Sequence, residues 1–159
     1  MTKLLMVEYE KCVGCGTCEI ACSIGHEGAI NPAQSRIGIV KWGMPGEGIP
    51  VTCAHCEEAP CQAICPVNAI SRKDSSGVSI EYDRCIGCRM CLAVCPFGAI
   101  SFDSIGKRVT KCDLCDGDPL CARFCVYGAL QYADPREHGA MKRRQAAARL
   151  GTATGAATW

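Results

Sequence analysis

The chain has 159 residues, which fits one domain of ordinary size, and its formal net charge is only +1. Aromatic residues make up 6% of it, so we expect a thin apolar core. The apolar stretch at residues 4–7 is too short for a secretory signal, and no run approaches a membrane span. We therefore expect a cytoplasmic protein with no membrane span and no nucleic-acid partner.

Sixteen cysteines divide into four motifs of four. The first and third motifs have the spacing C-x2-C-x2-C-x3-C, which is typical of [4Fe–4S] sites in bacterial ferredoxins. The second and fourth lengthen only the middle gap, to four and five residues. Because each such cluster takes four thiolates, the cysteines predict four [4Fe–4S] clusters with none left over. The motifs are Cys12, Cys15, Cys18, Cys22; Cys53, Cys56, Cys61, Cys65; Cys85, Cys88, Cys91, Cys95; and Cys112, Cys115, Cys121, Cys125.

Two other uses of cysteine fit less well. A disulfide framework suits a secreted chain, and no export signal is present. Structural zinc sites use C-x2-C pairs with longer spacers, and they do not predict a third and fourth cysteine at these intervals. A zinc protein would also be colourless. The iron–sulfur interpretation is therefore the stronger one.

The predicted elements begin with a strand at residues 4–9. Each C-x2-C-x2-C run should form an irregular loop, with a short helix starting near its third cysteine. Gly14, Gly16 and Gly87 lie between ligands, where the backbone needs unusual dihedral angles. An insertion at residues 23–50, which contains Trp42 and Met44, is either a docking surface for a catalytic partner or a cover over a cluster.

Farther along the chain, alternating apolar residues predict two β-hairpins. The first joins residues 69–72 to 78–82 across a polar turn, and the second joins 99–103 to 108–110. A last strand at 129–132 should pair with the first and close the molecule. Asp134 and Pro135 then predict a helix N-terminus, and Gly151 its end.

Residues 7–15 recur at 80–88, and the second motif resembles the fourth, which indicates a tandem duplication. We therefore expect an α+β fold of two nested ferredoxin-like units, each binding two clusters. Residues 1–134 form the body, with an inner unit at about 51–103 and an outer unit at about 1–30 plus 104–134. Residues 135–159 form a basic helix and tail.

The segment CAHCEEAPCQAICPVNAI, residues 53–70, resembles the four-cluster iron–sulfur subunits of molybdenum and tungsten pterin oxidoreductases. The compact fourth motif, CDLCDGDPLCARFCVYGAL, is most similar to the small subunit of bacterial tungsten-dependent aldehyde oxidoreductase complexes. The resemblance covers residues 4–133. Proline follows the last cysteine in the second and third motifs, but Ser23 and Val126 replace it in the other two.

In ferredoxins the fourth cysteine of each run ligates the other cluster. The central hairpin pairs the second motif with the third, and the resemblance implies the same nesting for the first and fourth. The alternative, with the first motif paired with the second and the third with the fourth, stays open. The crossed sets are Cys53, Cys56, Cys61, Cys95; Cys85, Cys88, Cys91, Cys65; Cys12, Cys15, Cys18, Cys125; and Cys112, Cys115, Cys121, Cys22.

The resemblance implies an electron-transfer subunit without catalysis of its own. Its partners would be a large tungsten or molybdenum pterin subunit that oxidises an aldehyde and a flavin-containing subunit. The alternatives are a subunit of a hydrogenase or carbon monoxide dehydrogenase, and a free polyferredoxin. Every iron would have a cysteine ligand, which argues against substrate chemistry on a cluster.

A few other residues bear on this function. His55 lies inside the second motif, where packing or hydrogen bonding beside a cluster is favoured over ligation. Lys11, Arg84 and Lys111 each precede the first cysteine of a motif, so each is either a solvated charge or a cation that raises a cluster potential. Residues 135–159 carry a net charge of +4 and could dock on a second copy or a partner subunit, or remain solvated.

Overall fold

The structure is a computed structural model that describes residues 3–41, 43, 46–73 and 77–153. It is a small mixed α/β fold in which short strands alternate with loops and helices. The eight strands are β1 (Leu4–Val7), β2 (Gly38–Val40), β3 (Ile49–Val51), β4 (Ile70–Lys73), β5 (Gly77–Ile80), β6 (Ile100–Asp103), β7 (Arg108–Lys111) and β8 (Leu130–Ala133). The five α-helices are α1 (Thr17–Glu27), α2 (Pro60–Ala63), α3 (Met90–Val94), α4 (Leu120–Arg123) and α5 (Pro135–Ala153).

The strands form four separate two-stranded antiparallel pairs. β4 pairs with β5 and β6 with β7, which confirms both predicted hairpins, although residues 74–76 of the first turn lie outside the described residues. β1 pairs with β8, with Leu4 opposite Ala133 and Val7 opposite Leu130. The first and last strands therefore close the body around everything between them, as predicted.

The buried apolar residues form two separate cores. The first joins Ile70, Val78, Ile100 and Val109 of the two hairpins to cysteines of α2 and α3. The second joins Ile37 and Leu130 to cysteines of α1 and α4. Because a two-stranded ribbon is marginal alone, each core depends on its cysteine-bearing helices for cover. In the second core, Gly25 of α1 lets Leu120 of α4 approach: a Cβ at Gly25 would lie 2.2 Å from Leu120 Cδ1.

The insertion packs onto the rest of the chain. It extends α1 and adds the β2–β3 ribbon, which the sequence did not predict. Arg36 pairs with Asp113, Glu27 pairs with Arg108, and the Gln34 amide donates to Asp103 Oδ2 at 3.0 Å. The insertion is thus fastened to the second half of the molecule. Trp42 and Met44 lie outside the described residues.

The C-terminal helix α5 lies against the N-terminal segment of its own chain. Asp134 caps it by accepting a hydrogen bond from the Arg136 N–H at 2.8 Å. The buried Glu8 carboxylate pairs with Lys142, and its Oε1 lies 2.9 Å from His138 Nε2. Arg149 adds an exposed pair with Glu10 at 2.7 Å. The prediction that Gly151 ends the helix is wrong, because the helix continues for two more residues, to Ala153. A glycine inside a helix costs only about 1 kcal/mol relative to alanine.

The Glu8→Gln variant should loosen α5 from the body. Lys142, hydrogen-bonded to the carboxylate, lowers the pKa of Glu8, so this contribution is full at neutral pH and is lost as the pH falls through that pKa. Losing a buried hydrogen bond to a charged group costs about 1.5–3 kcal/mol. We expect hydrogen exchange along residues 135–153 to accelerate about tenfold or more at neutral pH.

Glu10→Gln is the matched control. Its carboxylate also pairs with α5, but both partners are largely exposed, and such pairs contribute little. Equal exchange rates in the two variants would show that Glu8 does not hold the helix.

Among the described residues, no helix combines the length and apolar character needed to cross a bilayer.

Candidate functional site: four groups of cysteines

Three of the four cysteine sets predicted for single clusters each surround one cavity. Besides the cysteines, each of these cavities is lined mainly by apolar residues. Site I contains Cys12, Cys15, Cys18 and Cys125; site III contains Cys53, Cys56, Cys61 and Cys95; site IV contains Cys85, Cys88, Cys91 and Cys65. In every case the fourth cysteine comes from a different motif from the other three.

The remaining set, site II, comprises Cys112, Cys115, Cys121 and Cys22. The Cys121 thiol interacts electrostatically with all three of the others. Packing of α1 against α4 places Cys22 and Cys121 in the same core. All sixteen cysteines lie within the described residues, and none is disulfide-bonded.

Local backbone geometry explains how the motifs present their sulfurs. Gly14, Gly16 and Gly87 have φ of +65°, +84° and +69°, as predicted for turns between ligands. Short helices then begin one residue before the third cysteine of each motif, as at Cys18 and Cys91. Backbone N–H groups point at sulfurs: Ala69 N donates to Cys65 Sγ at 3.2 Å, and Leu130 N donates to Cys125 Sγ at 3.4 Å.

The cysteine environments fit iron–sulfur clusters. Burial raises the pKa of Cys18 and of Cys112 to about 12, and it also raises the pKa of Cys61 and Cys91. These thiols would stay neutral at pH 7 unless a metal displaced their protons. Four sulfurs around an apolar cavity, with N–H groups donating to them, form the donor set of a [4Fe–4S] cluster.

Electrostatic interactions between cysteines connect the four sites in the order I, II, III, IV. Cys18 of site I interacts with Cys121 of site II, and Cys53 of site III interacts with Cys112 of site II. Cys61 of site III interacts with Cys91 of site IV. Sites I and IV are therefore the ends, and each end has one exposed cysteine, Cys15 and Cys88 respectively.

Two histidines lie beside the sites. His55, in site III's motif, is 5% exposed, and its Nδ1 accepts from the Val78 N–H at 3.1 Å. Burial, followed by the charge of Lys111, lowers its pKa to about 4, so it is a neutral packing residue, the role that the sequence favoured. The sequence did not indicate a role for His26. Its Nε2 lies 3.5 Å from Cys115 Sγ and 3.5 Å from Asp113 Oδ1, because the insertion brings the end of α1 to site II.

The three cations that precede a motif have different surroundings. Lys11 is exposed, and the side chain of Arg84 is 55% exposed. Lys111 is 2% exposed and lines the cavity of site III. The three cations occupy equivalent positions in the sequence, but only Lys111 is buried.

Residues 46–135 match the family described as the 4Fe-4S dicluster domain, and residues 9–25 match a 4Fe-4S binding domain. The chain is 40% identical over 85 residues to the polyferredoxin-like subunit of the aliphatic sulfonate oxidoreductase of Pyrococcus furiosus, covering 53% of this chain and 49% of that protein. It is 37% identical over 98 residues to the electron transport protein HydN of Escherichia coli, covering 56% and 53%. Formate hydrogenlyase subunit 2 of E. coli is 36% identical over 90 residues, covering 57% and 43%. The chain thus spans about half the length of these curated relatives.

A solved structure resembles this one over nearly its full length. A chain of the active site complex BamBC of benzoyl coenzyme A reductase, as isolated, aligns with a TM-score of 0.50 and 29% identity, covering 97% of this chain and 94% of that one. The first family match covers more than half of the present sequence and includes three of its four cysteine motifs. The chain therefore belongs to the 4Fe-4S dicluster domain family.

Proposed function

We propose that sites I to IV each bind one [4Fe–4S] cluster through the crossed cysteine sets given above. The observation that carries this proposal is the set of three similar cavities, each lined by four cysteines of which one comes from another motif. When bound, such clusters accept and release single electrons. The protein holds them in a row and covers them with apolar side chains.

The proposed activity is electron transfer between two partner subunits, without substrate chemistry on this chain. Each cluster would have four cysteine ligands, and the end sites each present an exposed cysteine at which a partner could exchange electrons. The relatives named as an electron transport protein and as a polyferredoxin-like subunit support this role. We further propose that the fold arose by duplication of a two-cluster unit, with one copy nested in the other.

The proposed partners are a large tungsten or molybdenum pterin subunit that oxidises an aldehyde and a flavin-containing acceptor subunit. The compact fourth motif supports this choice through its resemblance to aldehyde oxidoreductase small subunits. The likeness to a chain of an active site complex of a reductase supports assembly with a catalytic subunit. The basic residues of α5 that do not contact Glu8 or Glu10 could add self-association.

A hydrogenase partner is the second candidate. The likeness to formate hydrogenlyase subunit 2 and to hydrogenase-4 component A of E. coli favours it. Carbon monoxide dehydrogenase and a free polyferredoxin are the further alternatives that the sequence left open.

Anaerobic purification of the tagged chain from its native host separates these candidates. We expect a large subunit that contains stoichiometric tungsten or molybdenum to co-purify with the chain. Stoichiometric nickel would instead favour a hydrogenase or carbon monoxide dehydrogenase. A chain that carries its clusters but elutes alone, also after mild crosslinking in cells, would overturn the subunit role and leave a free polyferredoxin.

A further inference from the structure

Lys111 is a buried cation with an unusual set of partners. Its Nζ donates to the backbone carbonyl of Val78 and, at 3.1 Å, to that of Cys112. None of the ion pairs in the described part of the chain includes it. Because an isolated buried charge is strongly unfavourable, negative charge close to Lys111 would stabilise its ammonium form.

The position of Lys111 identifies that charge. The side chain lines the cavity of site III with Cys53, Cys61 and Cys95. Its own backbone is bonded to Cys112, the first cysteine of site II. The ammonium group therefore lies where the line of sites passes from II to III, which is the centre of the row. Arg72 and Asp113 also act electrostatically on His55 at this centre, but the Asp113 carboxylate is already paired with Arg36.

We propose that Lys111 is the internal counter-charge of the two central clusters and sets their reduction potential. A cluster becomes more negative when it accepts an electron, so a neighbouring cation favours the reduced state and raises the potential. Burial excludes the water and salt that would screen this effect. Lys11 and Arg84 occupy the same sequence position before sites I and IV, but solvent screens their charges. The central clusters would therefore hold an electron more readily than the end clusters. This inference rests on the proposed binding of four clusters.

The test uses the full chain, purified anaerobically, with iron and acid-labile sulfide measured before anything else. Reduction is then followed in a potentiometric titration monitored by electron paramagnetic resonance. Lys111→Met removes the charge and keeps an apolar side chain of similar length, Lys111→Gln keeps a donor without charge, and Lys111→Arg keeps the charge. Lys11→Met is the exposed control.

In Lys111→Met and Lys111→Gln, at least one central cluster should show a reduced-to-oxidised ratio about tenfold lower at a fixed potential, which is about 59 mV for one electron. Lys111→Arg and Lys11→Met should stay near wild type. The two neutral variants could instead lose the central clusters while Lys111→Arg keeps its full iron content. This result would also support the proposal, because the positive charge is what Lys111→Arg retains and the other two lack.

Unchanged potentials in a fully loaded Lys111→Met protein would overturn the proposal, as would loss of iron from all three Lys111 variants, which would make the residue a packing element. A wild-type chain with fewer clusters would instead count against the proposed function. The iron assay therefore distinguishes failure of the Lys111 proposal from failure of the proposed function.

Discussion

Purified anaerobically, the chain should contain about sixteen iron and sixteen acid-labile sulfide, and stripping them should abolish most of its fold. The reason is the makeup of the two cores. Cys61 and Cys91 belong to the buried set of the first, and Cys18, Cys22 and Cys121 make up most of the second. Removing clusters leaves cavities among cysteine-bearing helices that no longer hold together.

Circular dichroism and hydrogen exchange before and after anaerobic chelation measure this effect. The strand pairs should lose protection together with the helices, because each pair has only two strands. Refolding should require iron and sulfide. Preparations that reproducibly hold iron for two clusters would contradict the four-cluster proposal, and an apoprotein with native exchange protection would contradict the coupling of metal binding to folding.

Double substitutions test the crossed ligation by iron content alone. Cys65 lines the same cavity as Cys88, whereas Cys56 lines the cavity completed by Cys95. The Cys65→Ala/Cys88→Ala variant should therefore lose one cluster, about four iron, and the Cys65→Ala/Cys56→Ala variant should lose two, about eight. Alanine is preferred to serine because a serine oxygen can still ligate iron.

If each motif instead ligated its own cluster with all four of its cysteines, the Cys65→Ala/Cys88→Ala variant would lose about eight iron and the Cys65→Ala/Cys56→Ala variant about four. Cys95→Ala/Cys56→Ala is the matched control, since Cys95 and Cys65 both follow a short helix and precede a proline. It should lose about four iron. A loss of about eight in this control would contradict crossing.

Local patterns gave most of the fold. The hairpins followed from alternation of apolar residues, the turns from Gly14 and Gly87, and the pairing of β1 with β8 from the position of two strand-like ends around a repeat. These features depend on residues close in sequence or on the symmetry of the repeat. The cysteine spacing likewise indicates iron–sulfur sites from the sequence alone.

Local sequence patterns do not predict contacts between distant segments. Nothing in the sequence around Glu8 distinguishes it from Glu10, yet one carboxylate is buried under α5 and the other is exposed. Lys111 and Lys11 each directly precede the first cysteine of a motif, yet Lys111 is buried and Lys11 is exposed. The β2–β3 ribbon was missed because Gly38–Val40 and Ile49–Val51 are too short for periodicity to show. In each case the deciding partner comes from elsewhere in the chain.

The closure of the body by β1 and β8 has a consequence for synthesis on the ribosome. Sites III and IV draw all their cysteines from one continuous segment, so they can form while the chain is still growing. Under the proposed crossed ligation, site I is complete only when Cys125 joins Cys12, Cys15 and Cys18, and site II only when the last motif joins Cys22. The first motif is thus made first and completed last. Its thiols would then remain open to oxidation, or to capture by a cluster-delivery protein, until β8 is synthesised.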